Sequence, residues 1–110
     1  MGKFVKGDIV VAPFPFSDLS TNKKRPVLIV ATLQGDDVVM CQITSKNVND
    51  PYAISLSDGD FKSGKLPVDS NIRPNRLFTG EAKIIIKRAG KLKKTKLDEV
   101  VDKIVEILKT

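Results

Sequence analysis

The sequence predicts a mainly β fold: about five to seven short strands in a small barrel, closed by one C-terminal α-helix. Three observations predict it. Short apolar, β-branched runs bounded by Gly, Pro and Asp recur up to about residue 90. The last stretch changes period, with Leu97, Val100, Val101, Ile104, Ile107 and Leu108 at i, i+3, i+4 spacing on one helix face. The 110 residues suit one hydrophobic core, and no repeat or linker divides them, so 1–110 is expected to be a single domain.

The first strand is Ile9-Val10-Val11-Ala12, introduced by the turn Gly7-Asp8. Pro13-Phe14-Pro15-Phe16 ends it, because two prolines two apart do not fit a sheet interior. Ser17 to Arg25 is polar throughout and finishes on Lys23-Lys24-Arg25, the composition of a surface loop with a basic exit. Pro26 then opens Val27-Leu28-Ile29-Val30-Ala31, a continuous apolar run that reads as a central strand buried on both faces. Gln34-Gly35-Asp36-Asp37 turns the chain, and Val38 to Thr44 returns as the hairpin partner. Tyr52 to Leu56 alternates like a half-buried strand, and Asp58-Gly59-Asp60 and Ser63-Gly64 mark loops around Phe61. Leu66 to Ile72 supplies a short strand before Pro74, and Ile84-Ile85-Ile86 another. Thr95, three residues before Asp98, is the expected N-cap of the helix.

Composition limits the chemistry. Nineteen Lys and Arg against 13 Asp and Glu give a net charge of +6, which points to a polyanionic partner. There is no histidine. That excludes Ser-His-Asp and Cys-His catalysis, histidine metal sites and a histidine acid–base pair, and leaves Arg, Lys, carboxylates and hydroxyls. The single cysteine, Cys41, has no disulfide partner and cannot build a zinc site alone; inside Val38-Val39-Met40-Cys41 it reads as a buried, inert thiol. No metal and no cofactor are expected. Met1-Gly2-Lys3-Phe4 lacks an apolar signal region, and Lys6 stands where myristoylation wants Ser or Thr. No run approaches the roughly 18 apolar residues of a membrane span, so the expected location is cytoplasmic, without a membrane partner.

The order of the short motifs is more specific than any one of them. Gly7-Asp8-Ile9-Val10 leads into a Phe/Pro stretch and a loop, then Arg25-Pro26-Val27-Leu28-Ile29-Val30, then Gln42-Ile43-Thr44-Ser45 at the end of the hairpin. Ile72-Arg73-Pro74-Asn75-Arg76-Leu77-Phe78 and Gly90-Lys91-Leu92 follow before the helix. This series, from residue 5 to residue 109, resembles the MazF/PemK family of toxins from bacterial toxin–antitoxin systems. The resemblance implies an SH3-like β-barrel, shared with the CcdB-type gyrase toxins, that forms a homodimer. It implies a metal-independent endoribonuclease that cuts single-stranded mRNA at short sequences and leaves 2′,3′-cyclic phosphate and 5′-hydroxyl ends, halting translation and growth. A cognate acidic antitoxin would block the RNA site, and the toxin–antitoxin complex would bind operator DNA.

Cleavage of that kind takes its nucleophile from the ribose 2′-OH, so the protein chiefly has to stabilise charge on the phosphorane with fixed donors. Arg25 is the first candidate: a guanidinium fork matches phosphate oxygens, stays charged, and here sits at the start of a buried strand. Thr44 is the second, since the resemblance places this threonine on the scissile phosphate, with Ser45 in support; the plainer role for both is to satisfy strand-end backbone groups. Arg73 is the third. Some relatives carry an Arg-x-Asp pair in this segment, whereas here it is Arg73-Pro74-Asn75, and Asn75 cannot accept a proton as a carboxylate would. Arg73 is therefore expected to bind or polarise phosphate. Asp18, in the first loop, is the nominee for a carboxylate base, with a substrate-assisted or water-mediated proton path equally open.

Lys24, Asn75 and Arg76 complete the expected substrate-binding set, together with Phe16. Phe14 and Phe16 flank Pro15, where their rings would stack on unpaired bases or pack in the core or a dimer interface. Positions 83 to 96 hold seven Lys or Arg and no acid. That run reads first as a solvated face, and second as a phosphate-backbone track or an antitoxin dock. Two other readings stay open. One is a catalytically silent member of the same fold that binds DNA gyrase or operator DNA, which Asn75 and the missing histidine favour. The other is a basic SH3-like nucleic-acid-binding domain with no toxin role.

Overall fold

The computed structural model describes residues 4–13, 24–45 and 49–110. Within them the chain forms β1 (Asp8–Pro13), β2 (Lys24–Thr32), β3 (Asp37–Thr44), β4 (Ile54–Leu56), β5 (Phe61–Gly64), β6 (Ser70–Glu81), β7 (Lys87–Leu92) and α1 (Lys94–Lys109). The strands make one seven-stranded sheet in the order β4-β6-β3-β2-β1-β7-β5, every pairing antiparallel. The sheet curls into a half-barrel and carries the C-terminal helix, the mainly β architecture that the pattern of short runs predicts. No helix among the described residues is long and apolar enough to cross a membrane.

Alternation along the strands sorts side chains into two apolar clusters. The first holds Ile9, Leu28, Cys41, Ile43, Ile72 and Leu92, and α1 seals it with Val100, Leu97 and Ile104. The second holds Val10, Ala12, Val27, Ile29, Val38 and Met40, with Phe4, Phe78, Ile84 and Ile85 packed against it. Val27 to Val30 are all buried because β2 feeds both clusters, as a central strand should. The hairpin to β3 turns at Gly35, whose φ of +76° suits a residue without Cβ.

Several expectations are corrected. Lys24 and Arg25 belong to β2 rather than to the preceding loop, and Pro13 is the last residue of β1, paired with Lys24 at the strand end. Leu66 to Pro67 form no strand, and β6 does not stop before Pro74 but runs through it. The ladder explains how: β3 pairs Cys41 with Leu77 and then Gln42 with Arg73, so residues 74–76 bulge out and Pro74 has no ladder hydrogen bond to lose. Ile84-Ile85-Ile86 is not a strand. Ala82–Ile84 is a single 3₁₀ turn that packs Ile84 and Ile85 on the second cluster, and the next strand is the basic segment Lys87–Leu92.

The β5–β7 pairing depends on glycine. Gly64, at φ +71°, lies opposite Gly90, where an added Cβ would fall 2.8 Å from the Ser63 carbonyl oxygen and 2.9 Å from the Phe61 ring. Finally, α1 begins at Lys94 after Lys93, with no side-chain cap, so Thr95 lies inside the first turn. Its buried stripe is narrower than the spacing suggests, since Val101 and Ile107 are half-buried and Leu108 is 75% exposed.

Candidate functional site

Register brings three of the candidate residues to one face of the sheet. Val27 of β2 pairs with Gln42 of β3, and Gln42 pairs with Arg73 of β6, so these three share a face. Two residues along each strand, Arg25 and Thr44 fall on that same face. Carried on by two residues, the β2–β3 register sets Arg25 against Thr44, and Thr44 itself pairs with Asn71. Arg25, Thr44 and Arg73 therefore occupy three adjacent strands at one end of the sheet.

The two arginines are held differently. Arg73 donates from Nε to Oδ2 of Asp50 at 3.1 Å, and its Nη2 lies 3.1 Å from the same oxygen. The Asp50 side chain is only 7% exposed. It also accepts from the Tyr52 backbone N–H at 2.9 Å and from the Asn75 side chain. Burial pushes the Asp50 carboxyl up, but the Tyr52 N–H, the Arg73 guanidinium and the Asn75 amide outweigh that and hold it below its ordinary value. By contrast, the buried Nε of Arg25 has no hydrogen-bond partner among the described residues, and neither has Oε1 of the buried Gln42. Unpaired buried polar atoms are groups that a ligand can satisfy.

Arg25 also borders an open groove of about 560 Å³. Strand ends frame it: Val11 of β1, Lys24 and Arg25 of β2, Ile43 of β3 with Ser45 just beyond, Ser70 of β6, and Lys87 and Arg88 of β7. Lys65 closes it from the β5–β6 connection. Among the described residues, five cations and no carboxylate line this groove, which suits a polyanion. One groove group, Arg88, is anchored by a buried acid. Asp8, 2% exposed, accepts from Arg88 Nη2 at 3.1 Å and from Lys91 Nζ at 3.3 Å, while Arg88 lies 5.2 Å over the Phe4 ring.

Of the sequence candidates, Lys24, Arg25 and Ser45 line the groove, while alternation puts Thr44 and Arg73 on the opposite face of the sheet from Lys24, Ile43 and Ser45. Asn75 and Arg76 sit in the β6 bulge, Asn75 turned to Asp50 rather than left as a spare amide. Phe16 and Asp18 lie outside the described residues, as does Phe14. The Lys87–Arg88 part of the basic run enters the groove as a strand, not as a strand–helix connection. Sequence reasoning missed Lys65, Gln42 as a buried polar group, and Asp50, whose sole local signal is the turn-prone Asp50-Pro51 pair. Cys41 is fully buried with its thiol pushed up to about 12 by burial, and it donates to the Arg73 carbonyl at 3.0 Å. Among the described residues, no group of three or more His, Cys, Asp and Glu is placed to hold a metal ion.

Solved structures show where this fold recurs. MazF from Deinococcus radiodurans (form I) superposes with a TM-score of 0.78 at 16% identity, covering 100% of both chains. The MazE–MazF complex of the same organism (form II) gives 0.73 at 16%, covering 98% of this chain and 97% of that one. An endoribonuclease from Mycobacterial species gives 0.73 at 16%, covering 98% and 93%. At such identity they establish the fold. No curated protein matches the chain in sequence. The model of the PemK-like, MazF-like toxins, however, matches residues 5–108, from the turn before β1 to the last turn of α1. The chain belongs to that family, the PemK-like, MazF-like toxins of type II toxin–antitoxin systems.

Proposed function

We propose that this toxin is a metal-independent endoribonuclease that cleaves single-stranded mRNA through the ribose 2′-oxygen. The observation that carries the reading is Arg25: a buried guanidinium nitrogen without an acceptor among the described residues, bordering a groove whose described lining holds five cations, Arg25 included, and no acid. In the reaction the 2′-oxygen bonds to phosphorus and the bond from phosphorus to the 5′-oxygen breaks. The products are a 2′,3′-cyclic phosphate and a 5′-hydroxyl. The 2′-OH loses one proton and the departing 5′-oxygen gains one. Arg25 supplies donors to the non-bridging oxygens as charge builds there, with the Thr44 hydroxyl on the neighbouring strand. Arg73 adds a second fixed positive charge on the same face.

Asp50 is a poor general base, because a carboxyl held below its ordinary value has a low proton affinity. Protons then move through water or the substrate's own phosphate. Lys24, Lys65 and Lys87 guide the flanking backbone, and their contribution weakens with salt. The same groove suits an acidic antitoxin competing with RNA. Relatives support this part: a Mycobacterial endoribonuclease has been solved with its cognate antitoxin, and MazF of D. radiodurans with MazE. A homodimer acting in the cytoplasm, with operator DNA as a target of the toxin–antitoxin complex, completes the reading.

The test is cleavage of a long RNA by the purified protein in EDTA without antitoxin. Fragments with cyclic-phosphate and 5′-hydroxyl ends are expected, and Arg25→Ala should abolish them. Intact RNA overturns the proposal.

A further inference from the structure

Resting on that ribonuclease reading, we propose that Asp50 is a positioning residue of the site: it clamps Arg73 as a fixed cation facing the phosphate. Arg73 is constrained from three directions. The Cys41 thiol, inside the first core cluster, donates to its carbonyl at 3.0 Å. The next residue, Pro74, is fully buried. Asp50 takes the Nε and Nη2 donors on one oxygen, both at 3.1 Å. The Nη1 side of the fork has no hydrogen bond or ion pair among the described residues, and the side chain stays 19% exposed. One edge of the guanidinium is thus spent on orientation, and the other remains for a ligand on the face it shares with Thr44 and Arg25.

The surroundings of Asp50 fit that role better than they fit a simple stabilising pair. Its second oxygen is taken by the Tyr52 N–H at 2.9 Å, which fixes the carboxylate itself. Asn75 adds a neutral donor. A carboxylate at position 75 would face Asp50 as a like charge and compete for the same arginine. Asn75 in this sequence therefore completes the clamp from β6, and the acid that orients Arg73 comes from beyond the end of β3 instead. The clamp commits the Arg73 guanidinium, a donor with no acceptor of its own, to binding negative charge.

The experiment is a double-mutant cycle on cleavage of an RNA oligonucleotide carrying a site mapped on the long RNA. Asp50→Asn, which keeps the shape and loses the charge, should lower kcat by about ten- to a hundredfold while KM changes little. In an Arg73→Ala background the same substitution should cost less than about twofold, since there is no guanidinium left to position. A merely structural Asp50 would lose equally in both backgrounds. Asp50→Glu retains the charge and displaces the carboxylate by one methylene; it should show the same fall in kcat with the fold intact, so the conclusion does not depend on the stability of Asp50→Asn. Asn75→Asp should lower kcat as well. Wild-type kcat in Asp50→Asn, equal losses in both backgrounds, or a gain from Asn75→Asp overturns the inference alone. Wild-type protein inert on RNA overturns the ribonuclease reading and the inference with it.

Discussion

Arg25 and Arg73 stand on one face of one sheet with β3 between them, yet their surroundings differ in kind. Arg73 has its carboxylate, a carbonyl anchored by the core and a buried proline beside it. Arg25 has a buried Nε with no acceptor among the described residues. A buried donor left without a partner costs about 1–3 kcal/mol, and among the described residues that cost falls on Arg25 and not on Arg73. Strained or unpaired groups of this sort are what a binding site retains for its ligand. The difference separates two settings: Arg73 is tied into the scaffold by Asp50, and the Arg25 Nε is left for a partner from outside the described residues.

Substitution at the two positions should separate activity from stability. Arg25→Ala is expected to lower kcat by about 10²–10³-fold, the loss typical of one fixed donor to a developing oxyanion, with a melting temperature no lower than wild type. Parallel cleavage assays and thermal unfolding measure both; a clearly lowered melting temperature would show that Arg25 is structural. Arg73→Ala should reverse the balance in stability, costing about 1–3 kcal/mol in denaturant titration because Asp50 loses its cation and keeps only the Tyr52 N–H and Asn75.

A smaller effect distinguishes the pair through pH. The folded Asp50 carboxyl lies below its unfolded value, so its contribution is present in full above the unfolded value of about 3.9 and is lost as pH falls through the lower folded value. The stability difference between wild type and Asp50→Asn should be flat near neutrality and shrink below about pH 4. A difference that widens on acidification would contradict the clamp. The smallest change is expected from Lys65→Ala or Lys87→Ala, which should leave the cleavage step alone. Each should flatten the dependence of log affinity on log salt by about 0.7, the release expected for one phosphate contact on a single strand. Unchanged slopes would remove these lysines from the RNA path.

Legibility followed sequence distance. Val27–Val30 reads as a central strand, and Leu97, Val100 and Ile104 as a helix face, because both patterns are local and the core ratifies them. Arg25 and Thr44 were legible because they end adjacent strands of one hairpin, where register follows from the turn. Asp50 was not. It meets Arg73 across 23 residues, and that meeting depends on a bulge in β6 that no local pattern announces. Lys87 and Arg88 look like solvated charge in a sequence, and become groove walls once the Gly64–Gly90 approach draws their strand onto β5. Asp8 reads as a turn residue, yet it is the buried acid that orients Arg88 and Lys91.

The jump in register between Cys41 and Gln42 frees residues 74–76 from the β3 ladder. Exchange of Asn75 or Arg76 for another residue therefore breaks no inter-strand hydrogen bond to β3 and shifts no neighbour in register. Selection can alter the chemistry beside Arg73 at little cost to folding, while Arg73 and Leu77 on either side stay pinned. Sequence change can accumulate at this bulge without rebuilding the sheet that carries it.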